Sequence, residues 1–275
     1  MARLFQVGAG SGGMVVLDLL CREPQVDGIV LVEPDVYAPH NVVRHLLPPA
    51  SVGQRKAEAA AAWVRERRPD LALDILMVDI LQPEVQPLLL EAAQGCDVGV
   101  CAVDNEPAKY AFDALMRRVG RPWTLGEVLS GGIGGWVHRF VPGGPCYGCV
   151  ASYLQREVTE APPAPPPDYS QPQAAQAELT IPASRAAIHT IASLHAMVTL
   201  ELLTAPADPA TTGFTSLLWS LRKVEDIFDE PYRSYRFRIP RSANCLICGI
   251  REQAATAGKD LDVAIDQALA RLAPS

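Results

Sequence analysis

Histidine, aromatic residues and positive charge are all scarce in this sequence of 275 residues. It contains five histidines and 6% aromatic residues, and its 24 Lys and Arg face 31 Asp and Glu, a formal net charge of −7. An acidic balance repels phosphate backbones, so a nucleic-acid partner is not expected. Because the histidines are scattered single residues, we predict no catalytic role for His40, His45, His138, His189 or His195.

Targeting signals are also missing. The N-terminal sequence MARLFQVGAGSGG lacks the charged start, apolar stretch and small-residue cleavage site of a signal peptide, and the chain has no run of 18 apolar residues. We therefore expect a cytoplasmic protein with no membrane partner. A hydrophobic content of 49% with 20% charged residues is typical of a globular protein and excludes disorder throughout the chain.

Four of the seven cysteines form two pairs with the same spacing, Cys146-x-x-Cys149 and Cys245-x-x-Cys248. In a reducing compartment such pairs indicate zinc more often than disulfides. Because no histidine lies at zinc spacing near either pair, we predict a structural zinc site with four cysteine ligands, with redox pairs as the main alternative. This site should link the strand end near residue 146 to the C-terminal strands. The other three cysteines lie in apolar surroundings and are predicted core residues: Cys21, Cys96 and Cys101.

The first half of the chain alternates short apolar runs with helical segments. Such alternation predicts an α/β fold, a Rossmann-like doubly wound parallel sheet with helices on both faces. The predicted strands are Leu4–Val7, Ile29–Val32, Leu71–Val78 and Val98–Val103, and the predicted helices are Met14–Leu20, 54–68 and Pro107–Val119.

The pattern changes after Gly131. A proline-rich stretch at 161–168 cannot hold a helix or a central strand, so we expect a mobile loop at about 156–182. Apolar residues at three- and four-residue intervals then predict another helix, followed by two antiparallel strands that extend the sheet. These elements are the helix Ser184–Leu203, the strands Ser216–Val224 and Ser234–Ile239, and a tail helix at 258–273.

A glycine-rich turn follows the first predicted strand. Gly8-x-Gly10-x-x-Gly13 would place backbone N–H groups at a helix N-terminus, where the helix dipole favours a phosphate. Glu33 ends the next strand 20 residues later, where a carboxylate would meet a ribose hydroxyl. We therefore predict a nucleotide site, with a turn that only packs strand against helix as the alternative.

A cluster of polar residues narrows the nucleotide chemistry. After Asp35 come Asn41, Arg44 and Lys56, and two cations suit a triphosphate better than hydride transfer. Asp104 follows an apolar strand, at the sheet edge where parallel α/β folds bind ligands, and a carboxylate there can hold Mg²⁺. The alternative for either cation alone is a solvated surface charge.

The run from Glu33 to His45 resembles the Asp-x-Asp-x-Val-x-x-x-Asn-Leu-x-Arg-Gln signature of the ThiF/MoeB and ubiquitin-activating enzyme superfamily, a superfamily of adenylyltransferases. The spacing to Lys56, to Asp104 and to both cysteine pairs fits as well, so the resemblance covers nearly the whole chain. It implies that Mg-ATP binds at the glycine turn and that the C-terminal carboxylate of a ubiquitin-like or sulfur-carrier protein is adenylated, with release of pyrophosphate. It also implies a homodimer or a heterodimer with a related subunit.

Carried over by position, the resemblance assigns a role to most polar residues of the cluster. Glu33 would hold the ribose, and Asn41 and Arg44 the phosphates; Lys56 would stabilise their charge, and Asp104 would hold Mg²⁺. The catalytic residues are then Arg44, Lys56 and Asp104. The full cofactor-binding set is Gly8, Gly10, Gly13, Glu33, Asp35, Asn41, Arg44, Lys56 and Asp104. We expect a single domain at 1–275, with a nucleotide-binding half at 1–140 and a zinc-bearing, carrier-binding half at 141–275.

The sequence departs from the family pattern at several points. Glu33 replaces an Asp, His45 replaces a Gln, and Lys109 stands where many members carry Arg. The first strand begins at about residue 3, which leaves no N-terminal helix with the arginine that reaches the partner's ATP in homodimeric relatives. Residues 150–244 contain no cysteine, so no thioester cysteine is evident in the crossover region. We therefore expect the acyl-adenylate to pass directly to an external acceptor.

Two other functions remain open on the sequence alone. The chain could be a non-catalytic scaffold or partner subunit of an activating enzyme, which the missing N-terminal arginine favours and the retained polar cluster opposes. It could also adenylate a peptide, a small molecule or tRNA, although the acidic balance counts against tRNA.

Overall fold

The computed structural model describes residues 1–154, 183–204 and 213–249. The strands are β1 Ala2–Val7, β2 Val26–Val32, β3 Ala72–Leu76, β4 Val98–Cys101, β5 Trp123–Val128, β6 Gly134–Phe140, β7 Ser216–Ser220 and β8 Ser234–Phe237. The α-helices are α1 Ser11–Cys21, α2 Lys56–Arg67, α3 Gln86–Gln94, α4 Glu106–Val119, α5 Tyr147–Tyr153 and α6 Arg185–Thr204. The loop expected at about 156–182 and the tail helix expected at 258–273 lie outside the described residues.

All eight strands form one mixed sheet in the order β3-β2-β1-β4-β5-β6-β7-β8. The first five strands are parallel, and β6, β7 and β8 continue the sheet antiparallel. This arrangement confirms the predicted Rossmann-like sheet and its antiparallel extension. β7 ends at Ser220 rather than Val224, because Val224 instead forms an isolated bridge to Phe228.

Two hydrophobic cores lie on opposite faces of the sheet, because successive side chains of a strand point to opposite sides. In β1, Leu4 packs with residues of α1, α2 and α6, whereas Phe5 packs with residues of α3, α4 and α5. Each core buries large side chains completely, such as Leu17 on one face and Phe112 on the other. Helices on both faces are what the alternating sequence predicted.

The three cysteines outside the two pairs are buried, as predicted for core residues. Burial raises the pKa of Cys21 and Cys96 to about 11 and that of Cys101 to about 12. Each therefore stays a neutral thiol near pH 7, which makes it a poor nucleophile.

Helix α6 is long and apolar enough to meet a length-and-composition criterion for a membrane span. Half of its apolar window is buried within the described fold, where α6 packs against α1, β5 and β6. Core helices meet the same criterion, so the helix carries no argument for a membrane, and the absence of a membrane partner stays a prediction.

Candidate functional site

The glycine-rich turn joins β1 to α1 at the carboxyl edge of the parallel strands. Gly8 has φ +100°, and a Cβ atom there would lie 2.4 Å from the carbonyl oxygen of Ala102. A Cβ at Gly13 would lie 2.4 Å from the carbonyl oxygen of Gly8, whereas one at Gly10 would meet nothing within 4 Å. Gly8 and Gly13 are therefore required for packing, and Gly10 leaves open space beside the turn.

Two side chains to which the sequence analysis gave no role hold this turn in place. Gln6 Nε2 donates to the carbonyl oxygens of Gly8 and Gly13 at 3.0 and 2.9 Å. His45 Nε2 lies 2.9 Å from the carbonyl oxygen of Ala9. Gln6 is 1% exposed and lies within an apolar strand. A polar residue in an apolar strand directly before a glycine turn is the sequence signal from which this role of Gln6 could have been predicted.

His45 acts as a neutral hydrogen-bond donor in this arrangement. Its Nδ1 accepts a hydrogen bond from the backbone amide of Leu47 at 3.2 Å, which assigns the proton to Nε2, the atom next to the Ala9 carbonyl. Burial lowers the pKa of His45 to about 4, so the ring is uncharged near pH 7. His45 thus supports the turn, and the structure gives it no contact that requires a catalytic role.

Helix α1 begins directly after the turn, with Gly10 as its N-cap residue. Gly10 offers no side-chain cap, and the first turn of α1 contains no acidic residue. The backbone N–H groups at the start of α1 and the positive end of its dipole therefore remain available to an anion.

A cleft of about 580 Å³ opens beside the turn, along the carboxyl edge of β1, β2, β4 and β5. Its lining includes all nine residues predicted to bind the cofactor: Gly8, Gly10, Gly13, Glu33, Asp35, Asn41, Arg44, Lys56 and Asp104. Ile188 and His195 of α6 also line the cleft, so residues beyond position 140 contribute to it. The structure brings the predicted set together, and the individual roles stay predictions.

The carboxylates at the end of β2 are already engaged. Glu33 Oε2 accepts from the Ala9 amide at 2.6 Å, and Oε1 accepts from the Asp35 amide at 2.9 Å. Burial raises the pKa of Glu33, and these backbone hydrogen bonds oppose that rise. The side chain of Asp35 pairs with Lys56, with 2.7 Å between Oδ2 and Nζ.

Asn41, Arg44 and Asp104 differ in how they are held. Asn41 Oδ1 accepts from the Ala38 amide at 3.0 Å, so this buried side chain fixes the short turn that presents Arg44. Arg44 is half-buried and Asp104 is exposed, and neither forms an ion pair within the part of the chain that the structure describes. Both side chains are therefore available to a ligand in the cleft.

A further charged cluster lies on the wall formed by α4 and β5. Lys109 Nζ lies 2.6 Å from Glu106 Oε1 and also forms an ion pair with Glu127. Glu127 Oε2 in turn lies 3.1 Å from His138 Nε2. Burial opposes the charge of Lys109, but the two carboxylates outweigh it and raise the pKa of Lys109. Sequence reasoning noted Lys109 only as a departure from the family pattern.

The four paired cysteines come together away from the cleft. Their Sγ atoms all lie within 4.8 Å of one another, with 3.5 Å from Cys146 to Cys245 and 3.5 Å from Cys149 to Cys248. A tetrahedral zinc ion with bonds of about 2.3 Å would separate its sulfurs by about 3.8 Å. Four buried thiols at these distances form no disulfide and fit zinc, with all four ligand positions filled.

The cluster links different elements from those that the sequence suggested. β6 ends at Phe140, and Cys146 is the N-cap residue of α5, so the expectation of a strand end near 146 was wrong. Cys245 and Cys248 follow β8, and Ile247 packs against Gly148, where a Cβ would lie 2.6 Å from Ile247 Cγ1. The four thiols thus join a short helix to the segment after the last described strand.

The fold and the cleft define a nucleotide-binding α/β protein with a four-cysteine cluster. Residues 1–237 match the model of the ThiF family, and the chain belongs to that family.

Curated relatives include proteins that activate small protein modifiers. The chain is 33% identical over 150 residues to the SAMP-activating enzyme E1 of Haloferax volcanii, covering 54% of this chain and 53% of that protein. It is 26% identical over 153 residues to ubiquitin-like modifier-activating enzyme 5 of Rattus norvegicus, covering 52% and 38%. The match to the sulfur carrier protein adenylyltransferase of Thermus thermophilus is longer, 26% identical over 255 residues, covering 90% and 82%. The chain thus spans about half or less of the first two relatives.

Solved structures share the fold. The crystal structure of E. coli MccB with ATP has a TM-score of 0.64 and 17% identity, covering 90% of this chain and 67% of that one. At this identity the likeness supports the architecture alone.

Proposed function

We propose that this protein is an adenylyltransferase that uses ATP to activate the C-terminal carboxylate of a ubiquitin-like or sulfur-carrier protein. The observation that carries the proposal is the convergence of the glycine turn, Arg44, Lys56 and Asp104 in one cleft. The family and the printed names of the relatives support the substrate class.

In the proposed reaction a carboxylate oxygen of the carrier attacks the α-phosphorus of ATP. The bond from that phosphorus to the bridging oxygen breaks, and pyrophosphate leaves with the bond's electron pair. Negative charge accumulates on the phosphoryl oxygens, where fixed cations stabilise the transition state more than the bound substrate. Arg44 and Lys56 would supply this charge, and the uncapped start of α1 would bind a phosphate.

Magnesium fits the acidic edge of the cleft. Asp104 is an exposed carboxylate after β4 with no ion pair among the described residues, and hard cations prefer carboxylate oxygen ligands. Asp104 would hold the ion, which would neutralise phosphate charge and orient the oxygens.

Zinc, by contrast, would serve the fold. Cys146, Cys149, Cys245 and Cys248 would fill a tetrahedral site and leave no open position for a substrate, so we assign zinc no chemical step.

The absence of a cysteine from residues 150–244 bears on the fate of the activated carrier. The three cysteines outside the cluster are buried with raised pKa values. We therefore propose that the acyl-adenylate passes to an external nucleophile rather than to a thiol of this chain. The predicted dimer, the cytoplasmic location and the division near residue 140 remain part of the proposal.

Pyrophosphate exchange into ATP tests the function. Candidate carrier proteins should support exchange by the parent, and Lys56→Ala or Asp104→Ala should slow it by a factor on the order of 10²–10³. Lys223→Ala and Asp229→Ala remove the same charges at exposed positions outside the cleft and should leave the rate unchanged. Unchanged exchange in the cleft variants would contradict the assigned roles. ATP binding without exchange for any carrier would favour the scaffold function.

A further inference from the structure

Among the described residues, carboxylates outnumber cations around the cleft. The acidic lining residues are Glu33, Asp35, Asp79, Asp104 and Glu127, and the basic ones are Arg44, Lys56 and Lys109. A nucleoside triphosphate brings about four negative charges of its own, so uncompensated carboxylates would oppose its binding through Coulomb repulsion. For a triphosphate to bind, most of these carboxylates must therefore be paired with cations or hydrogen-bonded within the protein.

Several of these carboxylates are accounted for locally. Glu33 binds two backbone amides, Asp35 pairs with Lys56, and Asp79 accepts from the amide of Leu81 at 2.9 Å. Glu127 lies on the β5 wall with 11% of its side chain exposed, and it pairs with Lys109, which is 7% exposed, and with His138 Nε2 at 3.1 Å. Because both side chains are shielded from water, their charges act strongly on each other and on the cleft.

Lys109 also connects the β5 wall to the start of α4. Its second carboxylate partner, Glu106, lies in the first turn of α4, directly after Asp104 and Asn105. Glu106 accepts a hydrogen bond from the hydroxyl of Tyr147 at 2.8 Å, so α5 is tied to the same group. One ammonium group thus holds the end of β5 and the start of α4 at the edge of the cleft.

We propose, on the basis of the adenylyltransferase function proposed above, that Lys109 is a positioning residue that makes the β5 wall compatible with the phosphates of ATP. It neutralises Glu127 and, through Glu106, fixes the segment that carries Asp104. Arg44 and Asp104 then remain to meet a polyphosphate and its divalent cation, because neither forms an ion pair among the described residues.

Nucleotide affinity separates this role from a general contribution to folding. Calorimetric titration of the full chain with Mg-ATP should show at least tenfold weaker binding for Lys109→Met, and AMP, with about half the charge, should lose no more than about threefold. Lys109→Arg keeps the charge and should stay within about threefold of the parent for both nucleotides. The double variant Lys109→Met/Glu127→Gln should recover most of the lost ATP affinity, because the negative charge that Lys109 offset is removed together with it.

Equal losses for ATP and AMP, or no recovery in the double variant, would overturn the inference. If Lys109→Met does not fold, as judged by its thermal transition, Glu127→Gln alone decides. This variant keeps Lys109 with one carboxylate fewer, so ATP should bind a few-fold tighter, and unchanged or weaker binding would contradict the proposal. If the parent fails to bind ATP, both the proposed function and this inference are wrong. If Lys56→Ala weakens ATP binding and Lys109→Met does not, this inference alone is wrong.

Discussion

The cleft and the four-cysteine cluster satisfy their polar groups in opposite ways. At the cleft, backbone groups hold Glu33 in its lining and Gln6 and His45 against the glycine turn, and the cleft keeps a space of about 580 Å³. In the cluster, four buried sulfurs face one another within 4.8 Å, and the site has no room for a substrate.

The cleft is therefore suited to binding and releasing a ligand, and the cysteine cluster to stabilising the fold. Glu33, Asn41 and the Asp35–Lys56 pair find partners within the protein, so this part of the cleft is held in place without a ligand. The thiols have mainly each other, and a zinc ion bound between them would stabilise their close approach. Removing a polar side chain of the cleft should therefore weaken ligand binding, whereas removing a cysteine of the cluster should impair folding.

The largest effect is expected at the cluster. Cys146→Ser or Cys248→Ser should lower the unfolding free energy by several kcal/mol or abolish folding, because the binding energy of a closed zinc site is folding energy. Metal analysis of the parent should give about one zinc per chain, and chelation should lower its melting temperature. Cys96→Ala, a buried thiol outside the cluster, should cost only about 1 kcal/mol. A parent protein without zinc, or cluster variants as stable as the parent, would contradict a stabilising role for the cluster.

Two glycine substitutions in the turn beside the cleft test whether binding and stability can be separated there. Gly8→Ala should destabilise the fold by about 2–4 kcal/mol, because its Cβ would collide with the Ala102 carbonyl and its φ is positive. Gly10→Ala has open space around its Cβ, so its stability should stay within about 1 kcal/mol of the parent while its ATP binding weakens. Chemical denaturation and nucleotide titration of both variants test this pair. Similar stability losses at both positions would contradict the described turn.

The smallest effect concerns pH. The pKa of His45 is about 4 in the folded state, below its ordinary value of about 6.5, so the unfolded chain binds more protons between these values. Its contribution to stability is therefore present above pH 6.5 and is lost progressively as pH falls through 4. His45→Gln keeps a donor for the Ala9 carbonyl without this titration, and its unfolding free energy should fall correspondingly less over the same range. Parallel pH curves for the two proteins would argue against a neutral His45.

The parallel half of the sheet could be predicted because β1, β2 and β4 are nearly continuous apolar runs between clear turn signals. The hairpin of β5 and β6 was missed because glycines interrupt its pattern. The structure supplies their reason: a Cβ at Gly126 would lie 2.6 Å from His195 Nδ1, and one at Gly135 would lie 2.5 Å from Ile191 Cγ1. Both contacts are with α6, which lies more than 50 residues away in the chain.

In the candidate site, too, some features could be predicted from the sequence and others could not. The glycine turn, Glu33 and Asp104 could be placed together because the carboxyl ends of neighbouring parallel strands meet at one edge. Asn41, Arg44 and Lys56 lie outside the strands, and the family resemblance was needed to assign them to the same site. Partners of those residues could not be inferred from spacing. The hydrogen bonds of Gln6 and His45 to the glycine turn, and the ion pair of Lys109 with Glu127, join positions whose proximity exists only in the folded chain.

Glu33 has a further consequence for which sugar the cleft would accept. Both of its carboxylate oxygens are held by backbone amides, so the side chain is ordered before any ligand arrives and loses little rotamer entropy on binding. Each oxygen keeps a second lone pair for a donor. A rigid acceptor cannot turn away when a donor is missing, so a ligand that lacks a hydroxyl loses this hydrogen bond with no substitute from the side chain. We therefore expect the cleft to distinguish ATP from 2′-deoxy-ATP more sharply than a flexible, solvent-exposed carboxylate would.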